Sequence, residues 1–182
     1  MRSAFIAARA LVFSTAFMGG WFWVVWRLQP LSREWDVALP AWIAAPGIGL
    51  GLAGVVGMIV CIALFVARGH GTPAIFDAPR NFVAVGPYKY VRNPMYLSAI
   101  ATFLGIGLYV RSLAVLAFAG AWFLMIHAFV IFIEEPGLRR RFGGTYDAYL
   151  HQVPRWVPGV ARGRVEVSTE KRYYREEQRN RA

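Results

Sequence analysis

Residues 112–133 read SLAVLAFAGAWFLMIHAFVIFI, with no Asp, Glu, Lys or Arg among them. A helix that crosses a hydrocarbon core needs ~20 mostly apolar residues, and Ser112–Ile133 supplies that length. Outward from it, Ala10–Trp26, Val37–Ala67 and Asn93–Val110 are equally free of charge. Pro40 and Pro46 are expected to break the start of the longest run, leaving Ile48–Ala67 as its span. Four buried helices of a soluble bundle would need amphipathic neighbours to cover them, and the chain has none. The expected fold is all-α: a polytopic membrane protein with about four transmembrane helices.

The composition agrees. The 182 residues are 57% hydrophobic and 16% charged, against roughly 25% charged in ordinary soluble domains. Disorder is excluded, and the length leaves room for one domain or a small bundle. A net charge of +10 would point to nucleic acid in a soluble chain. Here every Lys and Arg except Arg27, Arg33 and Arg111 falls in the N-terminal tail, the 68–94 connection or the tail after Ile133. The positive-inside rule then places both termini and that connection in the cytoplasm. The basic excess reads as topology and attraction to anionic headgroups, not as a nucleic-acid surface. Trp21, Trp23, Trp26, Trp35 and Trp42 gather near the outer boundary as an aromatic belt. The first run exceeds the ~7–15-residue apolar region of a cleaved signal and lacks a small-residue cleavage site, so it is expected to be retained. Cys61 is the single cysteine, so no intrachain disulfide can form.

The chain divides into three regions. Residues 1–67 form an N-terminal transmembrane hairpin, 68–160 a catalytic region, and 161–182 a charged tail. The Arg68–Arg92 connection is too apolar for a solvated linker and, like Phe142–Trp156, has an interfacial composition. Within the second span, Gly49–Gly54 matches G-x-G-x-x-G, which has meaning only between a strand and a helix. Gly47, Gly51, Gly54 and Met58 share one helical face, and close helix packing explains them better.

Two local signals carry chemistry. In Gly86-Pro-Tyr-Lys-Tyr-Val-Arg-Asn-Pro-Met-Tyr96, Asn93-Pro94 reads as an N-cap followed by proline at the first helical position. Beside Arg92, that helix start would favour a carboxylate or phosphate; a well-capped helix with a positive-inside arginine would look the same. The second signal is Glu134-Glu135-Pro136 at the inner end of span four, where two carboxylates oppose the helix dipole and each other. Arg92, Arg139–Arg141 or a bound cation should compensate them. His127 lies on nearly the same face as Glu134, either extending a polar stripe inward or packing. A hairpin of spans three and four brings the two signals side by side, a place suited to a zwitterionic ligand. His70, His127 and His151 are scattered without metal-ligand spacing, so no metal site is expected.

At these residues the chain resembles the integral-membrane methyltransferases related to isoprenylcysteine carboxyl methyltransferase and the phospholipid N-methyltransferases. The resemblance runs over roughly Arg80–Pro158. Gly86-Pro87-Tyr88 with Arg92-Asn93-Pro94-Met95-Tyr96 resembles the family's G-x-Y…R-H-P-x-Y segment. Glu134-Glu135, Leu138, Phe142-Gly143, Tyr146 and Tyr149 resemble its E-E block, and Val153-Pro154-Arg155-Trp156-Val157-Pro158 its closing V-P-R-x-x-P. The resemblance implies S-adenosylmethionine as methyl donor. It implies a cofactor pocket on the cytoplasmic side lined by Tyr88, Arg92, Asn93, Pro94, Tyr96, Glu134 and Glu135, joined by Arg80, Phe82 and Val83. Arg92 and Glu135 are the residues expected to carry the chemistry. Arg92 would orient the cofactor, while Glu135, or His127, is the candidate base for an ammonium acceptor. The implied partners are the bilayer and a lipophilic or lipid-attached acceptor. Asn93 in place of histidine, and Pro136 after the glutamates, are more like the phospholipid N-methyltransferases. The F-G-x-x-Y-x-x-Y block is more like the isoprenylcysteine branch. A non-catalytic membrane transport or assembly subunit would share the spans and the basic face, but not the clustered polar residues.

Overall fold

A computed structural model describes residues 2–30, 39–69 and 84–159. Among them there is no strand. The helices are α1 (Arg2–Leu28), α2 (Ala44–Leu64), α3 (Pro94–Tyr109), α4 (Leu113–Phe129), α5 (Glu135–Phe142) and α6 (Gly144–Gln152). Short 3₁₀ turns, Ala41–Ile43 and Gly86–Lys89, precede α2 and α3, and π-helical turns follow α2 (Phe65–Gly69) and α4 (Val130–Glu134). Among the described residues two helices are long and apolar enough to cross a membrane, Ala41–Ala67 and Leu113–Phe142; Pro94–Tyr109 is a shorter apolar helix. Leu52, Val56 and Ile59 on the first of these, and Leu124 and Phe132 on the second, are exposed, a surface suited to lipid rather than water.

Pro46 does not break α2, which begins at Ala44 rather than Ile48. In the first helical turn an N–H has no intrahelical partner, so proline loses nothing there. The glycine face of α2 is a packing seam against α3. A Cβ placed on Gly54 would lie 2.5 Å from the Ser98 carbonyl oxygen, and one on Gly47 2.8 Å from the Leu108 Cβ. Gly105 answers from α3, where a Cβ would overlap the Gly51 backbone.

The hairpin between α3 and α4 turns through Val110 and Arg111, with Arg111 in the left-handed region at φ 53°. Ser112 caps α4, its hydroxyl accepting from the Val115 N–H at 3.3 Å. Behind the hairpin, Phe103, Val115, Ala119, Trp122, Ile126 and Val130 form the main core. Trp23, Trp26 and Trp42 are exposed. Trp21 instead turns inward, 5.7 Å from the Phe118 ring and 6.1 Å from Trp122. Trp35, His70, Arg80, Phe82, Val83 and the charged tail lie outside the described residues.

Candidate functional site

The site begins where the chain enters α3. Asn93 occupies the N-cap position and Pro94 the first helical position, yet the Asn93 side chain does not cap. Its Nδ2 donates to the Arg155 carbonyl at 3.1 Å, so a tertiary bond replaces the local one. The segment after α6 runs along this entry. The Arg92 N–H donates to the Pro154 carbonyl at 2.9 Å and the Gly159 N–H to the Tyr90 carbonyl at 3.0 Å. From α6, the Tyr149 hydroxyl donates to the Tyr88 carbonyl at 2.7 Å. Tyr146, Tyr149, Val153 and Ala84 bury one another beneath this strap, and burial pushes both tyrosine hydroxyls above their ordinary pKa.

The paired carboxylates are not at a helix end. The helix runs on through the π turn into α5, with the Glu135 N–H reaching back five residues to the Val130 carbonyl. Pro136 accounts for the distortion: it has no N–H, and in a regular helix its ring would meet the Phe132 carbonyl. Such widened turns are frequent at functional sites. The helix-end argument for repulsion therefore does not apply, and the compensation comes from elsewhere.

Glu135, with its side chain 9% exposed, is held by two arginines. Arg92 Nη1 donates to Oε1 at 2.9 Å, Arg155 Nε to Oε1 at 2.8 Å and Arg155 Nη2 to Oε2 at 2.9 Å. The carboxylate raises the Arg155 pKa further above its ordinary value. Glu134 has a different environment: its Oε2 accepts from the Tyr96 hydroxyl at 2.9 Å, and no cation among the described residues pairs with it. Arg139, one of the expected counter-ions, bonds Asp147 at the surface instead, at 3.2 Å. Among the described residues Arg92 Nε is buried without a hydrogen-bond partner.

The structure thus gathers Arg92, Asn93, Pro94, Tyr96, Glu134 and Glu135. Tyr88 is adjacent, but its ring points the other way. It packs at 5.5 Å against Phe65 and lies in one buried cluster with Cys61, offering the strap only its carbonyl. His127 does not join Glu134. The π turn lies between them and changes the register, and His127 Nδ1 accepts from the Trp156 indole N–H at 2.8 Å. An indole nitrogen can only donate, so in the neutral imidazole the ring proton sits on Nε2. Arg155 and Trp156 are the residues whose roles sequence reasoning missed. Both stand in the V-P-R-x-x-P motif, which was the available signal. Among the described residues no three His, Cys, Asp or Glu side chains gather as metal ligands would.

The profile of the phospholipid methyltransferase family matches residues 44–145. The nickel-cobalt-cadmium resistance protein NccN of Alcaligenes xylosoxydans xylosoxydans is 29% identical over 132 residues, 70% of this chain and 56% of that protein. The cobalt-zinc-cadmium resistance protein CzcN of Cupriavidus metallidurans is 29% identical over 132 residues, 70% of this chain and 55% of its own. The chain thus spans about half the length of these curated relatives. No solved structure matches. Residues 44–145 hold the glycine seam, the hairpin, Arg92 and both carboxylates, and the chain that carries them belongs to the phospholipid methyltransferase family.

Proposed function

We propose that the protein transfers a methyl group from S-adenosylmethionine to a lipophilic or membrane-embedded acceptor. In this reading four helices cross the bilayer, with both termini and the pocket on the cytoplasmic side. The observation that carries the reading is the polarity of the site. Among the described residues, Arg92 offers a buried donor without a partner, and Glu134 a carboxylate whose only hydrogen-bond partner is a neutral phenol. The methyl donor has a carboxylate for the first and an ammonium and a sulfonium for the second, so the residues present fit it. When bound, it supplies an electrophilic methyl group on sulfur.

The chain's own contribution is positioning, which can remove much of the barrier of a two-partner displacement. Arg92, Tyr96 and Glu134 hold the donor; the exposed apolar faces of α2 and α4 let an acceptor arrive from the side. A lipid amine is the second reading for the acceptor, resembling phosphatidylethanolamine rather than a prenylcysteine carboxylate. Its support is that Arg155 is engaged by Glu135 and the open donor of Arg92 is assigned to the methyl donor's own carboxylate, which leaves neither arginine for an acceptor carboxylate. A non-catalytic membrane subunit is the reading from another class, and the relatives' names, which speak of metal resistance, fit either reading.

The deciding experiment incubates purified protein and native membranes with methyl-labelled S-adenosylmethionine, then identifies labelled products by mass spectrometry. Label in a lipid extract is expected, and the product tells amine from carboxylate. No incorporation, together with no binding of S-adenosylmethionine by the purified protein, would overturn methyl transfer.

A further inference from the structure

We infer that the two adjacent carboxylates have separate jobs: Glu135 is an internal counter-ion that fixes Arg92, Arg155 is the positioning residue that holds it there, and Glu134 with Tyr96 is the carboxylate that takes the ligand's positive charge. The ligand half of this rests on the proposed methyl-donor reading; the Glu135–Arg155 half does not.

The geometry separates the two residues. An ionised carboxylate has about four acceptor sites, and Glu135 has three hydrogen bonds from two guanidinium groups. It has little left to offer a ligand. The bidentate fork of Arg155 fixes the plane of that carboxylate as well as its charge. The plane in turn fixes Arg92, whose Nη1 is bound and whose Nε is left as a buried donor. Glu134 is next in the chain but projects from a different side of the π turn, toward α3, where it meets Tyr96. A mostly enclosed carboxylate without a cation is unfavourable unless it takes up a proton or something positive arrives. The four charges of Arg92, Arg155, Glu134 and Glu135 sum to zero, yet they are not evenly mixed: the positive ones surround Glu135 and leave Glu134 at the negative end. That is a dipole complementary to a zwitterion. The fork comes from the segment after α6, so Arg155 acts on the ligand only through Glu135 and Arg92.

The test uses the full chain in detergent. Without ligand, Glu135→Gln and Arg155→Gln should each lower the unfolding midpoint, and the double variant should cost little more than Glu135→Gln alone, because the Arg155 fork is an interaction that Glu135→Gln has already removed. Glu134→Gln should leave the midpoint unchanged or raise it. With ligand, Glu134→Gln should weaken S-adenosylmethionine by roughly ten- to hundred-fold, the range for a charge-assisted hydrogen bond. It should leave 5′-methylthioadenosine, which has neither sulfonium nor ammonium, unaffected. Arg155→Lys, a milder change than Arg155→Gln, should fold and keep part of the S-adenosylmethionine affinity. Additive losses for Glu135 and Arg155 would overturn the inference. So would a selective loss of S-adenosylmethionine over methylthioadenosine that falls on Glu135→Gln rather than Glu134→Gln. If the wild type binds neither nucleoside, the methyl-donor reading fails, and the ligand-free cycle still decides the Glu135–Arg155 half.

Discussion

Single polar atoms hold the site together, and the Tyr149 hydroxyl is one whose removal is easily read. It satisfies the Tyr88 carbonyl at 2.7 Å in a buried setting. Tyr149→Phe keeps the ring and its packing beside Tyr146 but leaves that carbonyl without a partner. An orphaned buried acceptor costs about 1–3 kcal/mol, so the unfolding midpoint in detergent should fall, while Tyr90→Phe, at a half-exposed ring, should not move it. An unchanged midpoint for Tyr149→Phe would mean that α6 is held to the α3 entry by packing alone. The same accounting explains why Asn93 misled a local reading. Asn-Pro is a good N-cap signal, but the strap beside it presents a carbonyl at Arg155, and a buried carbonyl must be paired. The amide can meet that requirement and a cap oxygen cannot.

Among the elements, the packing face of α2 was legible in the sequence because its signal is periodic, small residues at helical spacing on one face, whereas its partner, α3, was not. The seam also makes a sharp prediction. Gly54→Ala puts a methyl group 2.5 Å from the Ser98 carbonyl oxygen. Backbone on the facing helix cannot rotate away, so α2 must move off α3, at a cost typical of overpacking, roughly 1–3 kcal/mol. Gly49→Ala on the same helix meets nothing within 4 Å and should be neutral or stabilising by up to ~1 kcal/mol through helix propensity. Thermal unfolding of the two variants side by side checks this, and equal midpoints would remove the seam. The carboxylate pair was legible too, as a charged island after a charge-free run. Its true setting was not. Pro136 signalled an interruption, but whether a helix ends or widens at a proline depends on the residues C-terminal to it and on the elements packed beside it. At the start of α5 the strap bonds Glu135 through Arg155, a tertiary contact that no local pattern announces. Arg155 was unreadable as a partner for the same reason. It lies 20 residues from Glu135 in sequence, and no periodicity links residues that meet only when α6 turns the chain back.

For the molecule as a whole, helix length and charge together set where the site stands. α3 has 16 residues, about 24 Å at 1.5 Å per residue, against a hydrocarbon core of ~30 Å. If the Val110–Arg111 turn rests at one face of the bilayer, the start of α3 falls short of the other, and the bilayer thins or the polar entry is drawn toward it. Arg92, Arg155 and the Arg139–Arg141 run oppose deep immersion, because an arginine at mid-bilayer costs at least ~2.5–3.5 kcal/mol. In the proposed orientation that balance would put the carboxylate cluster at the boundary, where the proposed water-borne donor and lipophilic acceptor could both reach it. The proposed orientation makes this testable with thiol labelling. Cys61 is 1% exposed, so the native chain supplies a nearly silent background. Tyr109→Cys lies at an exposed position by the hairpin turn, and Arg140→Cys at an exposed position on α5 beyond the carboxylates. In intact cells a membrane-impermeant maleimide should label Tyr109→Cys at once, and Arg140→Cys only after permeabilisation. Labelling of both from one side would mean that the α3–α4 hairpin does not cross the bilayer. The reverse order would turn the molecule over, and the arginine-rich end would then face outward against the rule that oriented it.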